Sequence, residues 1–298
     1  MNLIQRLHEK SSPNKLSLLR IIIGLQVFNA LSSEVFQLMD FMKADLQLRY
    51  YLSYFPKGLT DFISDNLLTI LLVGKIACFF VILGLLTRVA LWVLFVSFLF
   101  LYNHYFILNE APIQWVYLLF PIFVLGFSNS HHKYSLDSYF FKYKKVARST
   151  DYNWPIEFFK ICLVCIYFSA GVQKVFPLSN IIPWSSGETI RVIMMDRFLD
   201  SPLHYLFEQP IFNYAQYPEL FRGLAISSIL LELSVIMIIF TSRYNLVIFL
   251  GLFGFHVSLL LLGVAGFLFP FVTLSIALIP CKYFDFFSRG SNIKPSLG

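Results

Sequence analysis

Apolar runs of about 17–25 residues, the length needed to cross a bilayer as a helix, recur along this chain. They predict spans at Leu16–Val35, Leu67–Leu86, Val89–Leu108, Ile113–Phe127, Pro155–Val175, Gly223–Thr241, Leu246–Gly263 and Val264–Phe284. The expected fold is all-α, a polytopic membrane bundle of about eight transmembrane helices. It is expected as a single membrane domain over residues 1–298. The fourth run is short, and the last two meet at a tight turn near Gly263–Gly266. Two longer segments, Gln37–Asn66 and Leu178–Arg222, mix aromatic with charged residues. That mixture suits short interfacial helices lying on the outer face of the bundle.

Composition strengthens the membrane reading. The 298 residues are 57% hydrophobic, 18% aromatic and 13% charged, with a mean hydropathy of +0.69. Soluble domains carry about 25% charged residues. The net charge of +6 does not point to nucleic acid, because no Lys/Arg block with interleaved aromatics occurs. Instead the positive charge falls in alternate loops. Arg6, Lys10 and Lys15 precede the first span, and Arg88 follows the second. Lys133, Lys142, Lys144, Lys145 and Arg148 follow the fourth, Arg243 the sixth, and Lys282, Arg289 and Lys294 the last. The opposite loops are acidic or balanced. The positive-inside rule then predicts a multi-pass protein of a bacterial inner (plasma) membrane with both termini cytoplasmic. The first apolar run is too long for a signal-peptide core.

Charged and polar residues inside such spans are costly, and they tend to face an interior or a cavity. Here they are Arg20, Lys75, His104, Lys174, Glu232 and His256. Lys174 ends the fifth run and is followed by Pro177, Ser179-Asn180 and Pro183-Trp184, so it is expected at the outer boundary. Partial desolvation favours its neutral amine, which makes it a candidate base. A lysine snorkelling at a helix end is the plainer alternative. Asn103-His104, flanked by Tyr102 and Tyr105, falls at a similar depth in the third span. His256 lies midway along the seventh. A lone histidine in an apolar helix is more often a structural, hydrogen-bonded residue than a catalyst. We nevertheless expect Lys174, His104 and His256 to converge on one cavity. Glu232, Arg20 and Lys75 are expected as structural polar residues. The pattern leaves open whether Glu232 is neutralised by Lys75 or by Arg20. Cys162-Leu-Val-Cys165 lies inside a span without a nearby histidine, and no metal site is expected. His131-His132 sits in a basic loop, which suits a solvated or phosphate-facing role.

These residues together resemble the HTTM (horizontally transferred transmembrane domain) family, which is related to vitamin K-dependent gamma-glutamyl carboxylase. The likeness is carried, in order, by Gly84-Leu-Leu-Thr87-Arg88, Asn103-His104, Tyr134-Ser135-Leu136-Asp137, Tyr167-Phe-Ser-Ala-Gly-Val-Gln-Lys174, Leu231-Glu232-Leu-Ser234, Phe255-His256 and Gly266-Phe267-Leu268-Phe269-Pro270. Trp184 falls somewhat later than the family's tryptophan, so a short insertion holding Pro177 and Pro183 is expected. The resemblance implies a quinol-dependent epoxidase and carboxylase-like chemistry. Lys174 would be the base and His104 a second catalytic residue. Asn103, His256, Tyr167 and Trp184 would bind a reduced quinone of the vitamin K or menaquinol kind, with O2 and CO2 as further reactants. The partners implied are the lipid bilayer, the quinone, and a peptide or protein substrate. The carboxylase carries a long lumenal region after its membrane helices, whereas this chain ends at Gly298. Propeptide-directed carboxylation is therefore not expected. The alternative reading is a non-enzymatic membrane protein that binds quinone or lipid, or assists peptide export or maturation.

Overall fold

The structure is a computed structural model, and it describes residues 11–32, 55–109, 116–141, 152–176, 183–199, 201–207, 209–210, 213–261 and 276–280. Every regular element among them is helical. The described residues up to Ile156 belong to one compact unit, and those from Glu157 to Pro280 to a second.

In the first unit α1 (Pro13–Leu31), α2 (Lys57–Asp65), α3 (Leu67–Leu83), α4 (Thr87–Asn109), α5 (Val116–Phe127) and the short α6 (Leu136–Phe140) follow in order. Pro13 opens α1 at the first turn, where a missing N–H costs nothing, and the Ser12 hydroxyl accepts from Asn14 N. Leu16, Leu19, Ile23, Val27 and Leu31 are fully buried and recur at the spacing of one helical face. That face packs on α3 and α5, and α4 packs on α3 and α5 in turn. At Gly24 an added Cβ would lie 2.8 Å from Ile82 Cγ1, so α1 and α3 approach as closely as they do because no side chain intervenes.

In the second unit α7 (Asn153–Val175), whose first turn still belongs to the first unit, is followed by a 3-10 turn at Trp184–Ser186. Then come α8 (Glu188–Asp196), α9 (Pro202–Leu206), a turn at Tyr214–Gln216, α10 (Pro218–Ser234), α11 (Met237–Phe240) and α12 (Asn245–Leu261). The 3-10 turn and α8 pack on α10, and α10 packs on α12. Short helices do occupy the described parts of the two long segments, with α2 in one and α8 and α9 in the other.

The described residues bear out the all-α fold and show part of the expected set of about eight spans. Among the described residues three stretches are long and apolar enough to cross a bilayer: Thr87–Tyr105, Asn153–Val175 and Pro218–Phe240. A fourth arises if α2 and α3, bent by 76° at their junction, count as one broken span. The described parts of two further expected spans, the 12 residues of α5 and the 17 of α12, are apolar but shorter, and each borders residues outside the described ones. Helix α1 has the length but buries Asn14, Lys15, Ser17, Arg20 and Gln26. The expected last span, Val264–Phe284, lies almost wholly outside the described residues, as do the turn at Gly263–Gly266 and the segment Gly266–Pro270.

Candidate functional site

The second unit gathers four of the expected site residues and adds Glu232 to them. Tyr167, Gly171 and Lys174 stand at i, i+4 and i+7 on α7, so they form one stripe. At the middle of the stripe an added Cβ on Gly171 would lie 3.0 Å from Leu233 Cδ2 and 3.2 Å from Glu232 Cβ. The missing side chain is what lets α7 come this close to α10. Above it, Lys174 Nζ donates to Glu232 Oε1 at 2.5 Å. The lysine side chain is 17% exposed and the glutamate 4%, so the pair sits almost wholly out of water. Below it, the Tyr167 hydroxyl is hydrogen-bonded to Nε2 of His256 on α12, and the two rings meet edge to face. Both residues are buried.

Trp184 closes the cluster. Its indole N–H donates to Ser228 Oγ at 3.3 Å, and Ser228 lies one turn before Glu232 on α10. The Trp184 ring centroid is 4.6 Å from Lys174 Nζ, and that of Phe255 is 6.0 Å away. An ammonium group is attracted to both ring faces. The Lys174–Glu232 contact settles which cation neutralises Glu232: it is Lys174, and neither Lys75 nor Arg20. Lys75 is half-buried in α3 and forms no ion pair with a described residue. Among the described residues only Oε1 of Glu232 is engaged; Oε2 is buried with no hydrogen-bond partner there. A buried carboxylate oxygen without a donor is costly, so it marks a place where a hydroxyl or amide hydrogen would be welcome.

Asn103 and His104 lie on α4 in the first unit, where both are buried, as are their neighbours Tyr102 and Tyr105. Pro177, Ser179 and Asn180 lie outside the described residues, and with them the expected insertion before Trp184.

Arg20 has a different task. It is the largest fully buried side chain of the molecule's described part, and its guanidinium donates to two main-chain oxygens of the turn after α5. Nη1 reaches Ser130 O at 2.9 Å and Nη2 reaches Tyr134 O. Ser17 Oγ adds a bond of 3.0 Å to the same Ser130 oxygen. In the same turn Asp137 accepts from Leu86 N at 2.7 Å, from Thr87 N at 2.8 Å and from Thr87 Oγ1 at 2.7 Å. Asp137 thereby caps α4, and its own N–H donates to Gly84 O at 2.8 Å. Gly84 has φ +70, and a Cβ there would lie 2.3 Å from Ser135 Cβ. Leu86 and Tyr134 also hold positive φ, at 47 and 46, a strain the surrounding bonds must fix in place. The segments Gly84–Arg88 and Tyr134–Asp137 are therefore two halves of one structural lock. The signal for it in the sequence was the glycine at a helix end followed by Thr, and the Ser-x-Asp turn.

His131 lies beside the lock, 6% exposed. Burial, with the neighbouring His132 and Arg88, pushes its imidazole down to about 4. His132 is held by a 2.8 Å bond from Nδ1 to the Tyr152 hydroxyl.

No curated protein and no solved structure matches this chain. The family model of the HTTM domain, by contrast, matches residues 8–284. That span takes in the Lys174–Glu232 pair, the Tyr167–His256 pair and the Arg20–Asp137 lock alike, and the chain belongs to the HTTM domain family, as a membrane protein related to the vitamin K-dependent carboxylases.

Proposed function

We propose that this protein is an integral membrane enzyme that uses a reduced quinone, with quinol oxidation to the epoxide coupled to removal of a proton from a peptide or small substrate. The observation that carries this reading is the buried pair of Lys174 with Glu232, whose second oxygen, Oε2, lacks a donor. The residues suit a quinol. Trp184 and Phe255 offer aromatic surface around Lys174, and Oε2 of Glu232 offers an acceptor for a phenolic hydroxyl. A bound quinol would supply an acidic hydroxyl and reducing equivalents.

The chain's own residues then divide the work. Glu232 Oε2 accepts the hydroxyl hydrogen bond and orients the group. Lys174, held to Glu232 through Nζ and Oε1, is the proposed base, and takes up the proton in the form in which its amine is neutral. Trp184, fixed by Ser228, covers the amine and limits the access of water. Tyr167, bonded to His256, keeps α7 and α12 in register so that the stripe stays aligned. Asn103 and His104 are proposed as further quinone-binding and catalytic residues, from their place in the family pattern. O2 and CO2 are the proposed further reactants. The inner membrane of a bacterium, with both termini cytoplasmic, is the proposed setting, from the charge alternation of the loops.

The competing reading, a quinone- or lipid-binding protein without turnover, shares the same cluster. Purified protein supplied with a menaquinol or vitamin K hydroquinone separates the two: oxygen uptake with formation of quinone epoxide supports the enzyme, and binding without either supports the alternative. Lys174→Arg is expected to lower turnover by about 100-fold or more while leaving the fold intact, because a guanidinium keeps its proton. Lys174→Ala is expected to regain part of the rate with an added small amine. Full activity in Lys174→Arg would remove this lysine as the base.

A further inference from the structure

A second polar site lies in the first unit, apart from the residues used above. A cavity of about 540 Å³ is lined by Thr87, Arg88, Asn129, His131, His132 and Phe141, among others. Its volume falls within the range of about 300–1,000 Å³ of small-molecule pockets. The charge in it comes from Arg88, which is exposed and donates Nη2 to Asn129 Oδ1 at 2.9 Å. A guanidinium has five N–H donors in a planar fork, so this bond orients it and leaves capacity for a bidentate anion. Asp137 also lines the cavity, but both its oxygens are engaged by Leu86 N, Thr87 N and Thr87 Oγ1. The Arg20 guanidinium offsets its charge from behind. His131 and His132 add imidazole rings to the wall, with His132 fixed by its bond to the Tyr152 hydroxyl.

The surroundings say where the anion comes from. The cavity sits where α3 passes into α4 and where α5 ends, so it lies at the end of apolar helices rather than along them. Around it Tyr134, Tyr139, Phe140 and Phe141 are exposed by 52%, 76%, 62% and 59%. Lys133 is exposed on the same turn. Aromatic rings that gather with basic side chains at helix ends belong at the level of lipid headgroups. Basic pockets between membrane helices hold anionic headgroups there. We propose that this cavity binds the phosphate headgroup of an anionic phospholipid, with Arg88 as the principal ligand, Asn129 positioning it and the exposed aromatic collar lying against the lipid.

The test uses the full chain purified in a mild non-ionic detergent. Native mass spectrometry counts bound phosphatidylglycerol against phosphatidylcholine, and inorganic phosphate is added as a competitor. The expected result is retention of phosphatidylglycerol over phosphatidylcholine. Arg88→Gln is expected to lower that affinity by about fivefold. Asn129→Asp, which sets a carboxylate beside Arg88, is expected to lower it by a similar factor. Circular dichroism identifies any variant that has lost its helices, and the other variant then decides. Equal retention in the wild type and a folded variant would overturn the proposal. So would equal retention of the two lipids. Displacement of the lipid by millimolar phosphate would overturn the lipid source and assign the site to a free anion.

Discussion

Two of the buried ionic clusters among the described residues are built on opposite terms. In the first unit Arg20 and Asp137 do not bond to each other. Each bonds mainly to main-chain groups: Arg20 to the oxygens of Ser130 and Tyr134, Asp137 to the N–H groups of Leu86 and Thr87. In the second unit Lys174 and Glu232 bond directly, and one glutamate oxygen is left over. A charge spread over main-chain donors and acceptors fixes a turn in one conformation. A charge held by a single partner, with an unused acceptor beside it, can exchange a proton or receive a ligand. Bonds to several main-chain groups specify structure, whereas a buried carboxylate oxygen left over beside a single partner is costly unless it serves something else.

The largest effect that sharpens this contrast is on the direct pair. Lys174→Met leaves Glu232 buried without its cation and is expected to cost about 3–5 kcal/mol. Lys174→Met combined with Glu232→Leu removes both charges and is expected to recover most of that loss. Urea unfolding in detergent for the two single variants and the double gives the coupling. If the double variant were no more stable than Lys174→Met, the direct pair would have no special standing.

Next comes the lock. Arg20→Met removes the guanidinium donors from Tyr134 O and from Ser130 O, which keeps the Ser17 hydroxyl, and is expected to cost about 2–3 kcal/mol. Asp137→Asn weakens the cap of α4 by about 1–2 kcal/mol. The two side chains share no bond but hold one turn and attract one another, so the double variant should recover only a part of the summed loss, and less than the direct pair recovers. A large recovery there would erase the distinction between the clusters.

A pH effect of similar or smaller size belongs to the first unit. The folded imidazole of His131 sits at about 4, below its ordinary 6.5. Between those values the unfolded chain binds a proton and the folded chain does not, so stability falls as the pH drops from 6.5 towards 4. Above 6.5 both forms are neutral and the residue contributes no pH dependence. The loss should reach on the order of 2 kcal/mol near about pH 5. His131→Gln should flatten it, as read by thermal unfolding at a series of pH values.

The smallest effect concerns the closeness of α7 and α10. Gly171→Ala sets a Cβ 3.0 Å from Leu233 and 3.2 Å from Glu232, so one helix must yield by a few tenths of an ångström. A loss of about 1 kcal/mol is expected. Turnover should fall more than stability, because the shift acts on the Lys174–Glu232 contact. Equal activity in Gly171→Ala would mean that the contact tolerates slack.

Much of this architecture was legible in the chain. The apolar runs predicted the positions of α3, α4, α7, α10 and α12, because helix formation in a long apolar segment is a local matter of satisfied backbone bonds. The isolated polar residues stood out against those runs for the same reason. Lys174, Glu232, His256 and Arg20 are each conspicuous in sequence, and each is buried or nearly so in the structure. The family likeness likewise rested on short stretches whose order survives in the fold.

What only the tertiary structure decided is which of these groups meet. Lys174 and Glu232 are 58 residues apart, and Tyr167 and His256 are 89 apart. Arg20 finds Ser130 across 110 residues, and the Lys174–Glu232 contact decided against Arg20 as the partner of Glu232. The bend of 76° between α2 and α3, too, was not legible in the apolar content of the run. Periodicity fixes a helix and its polar positions from neighbours a few residues away. The pairing of those positions depends on how helices approach one another, and the approach turns on single small residues such as Gly24 and Gly171 that carry no charge or hydropathy signal of their own.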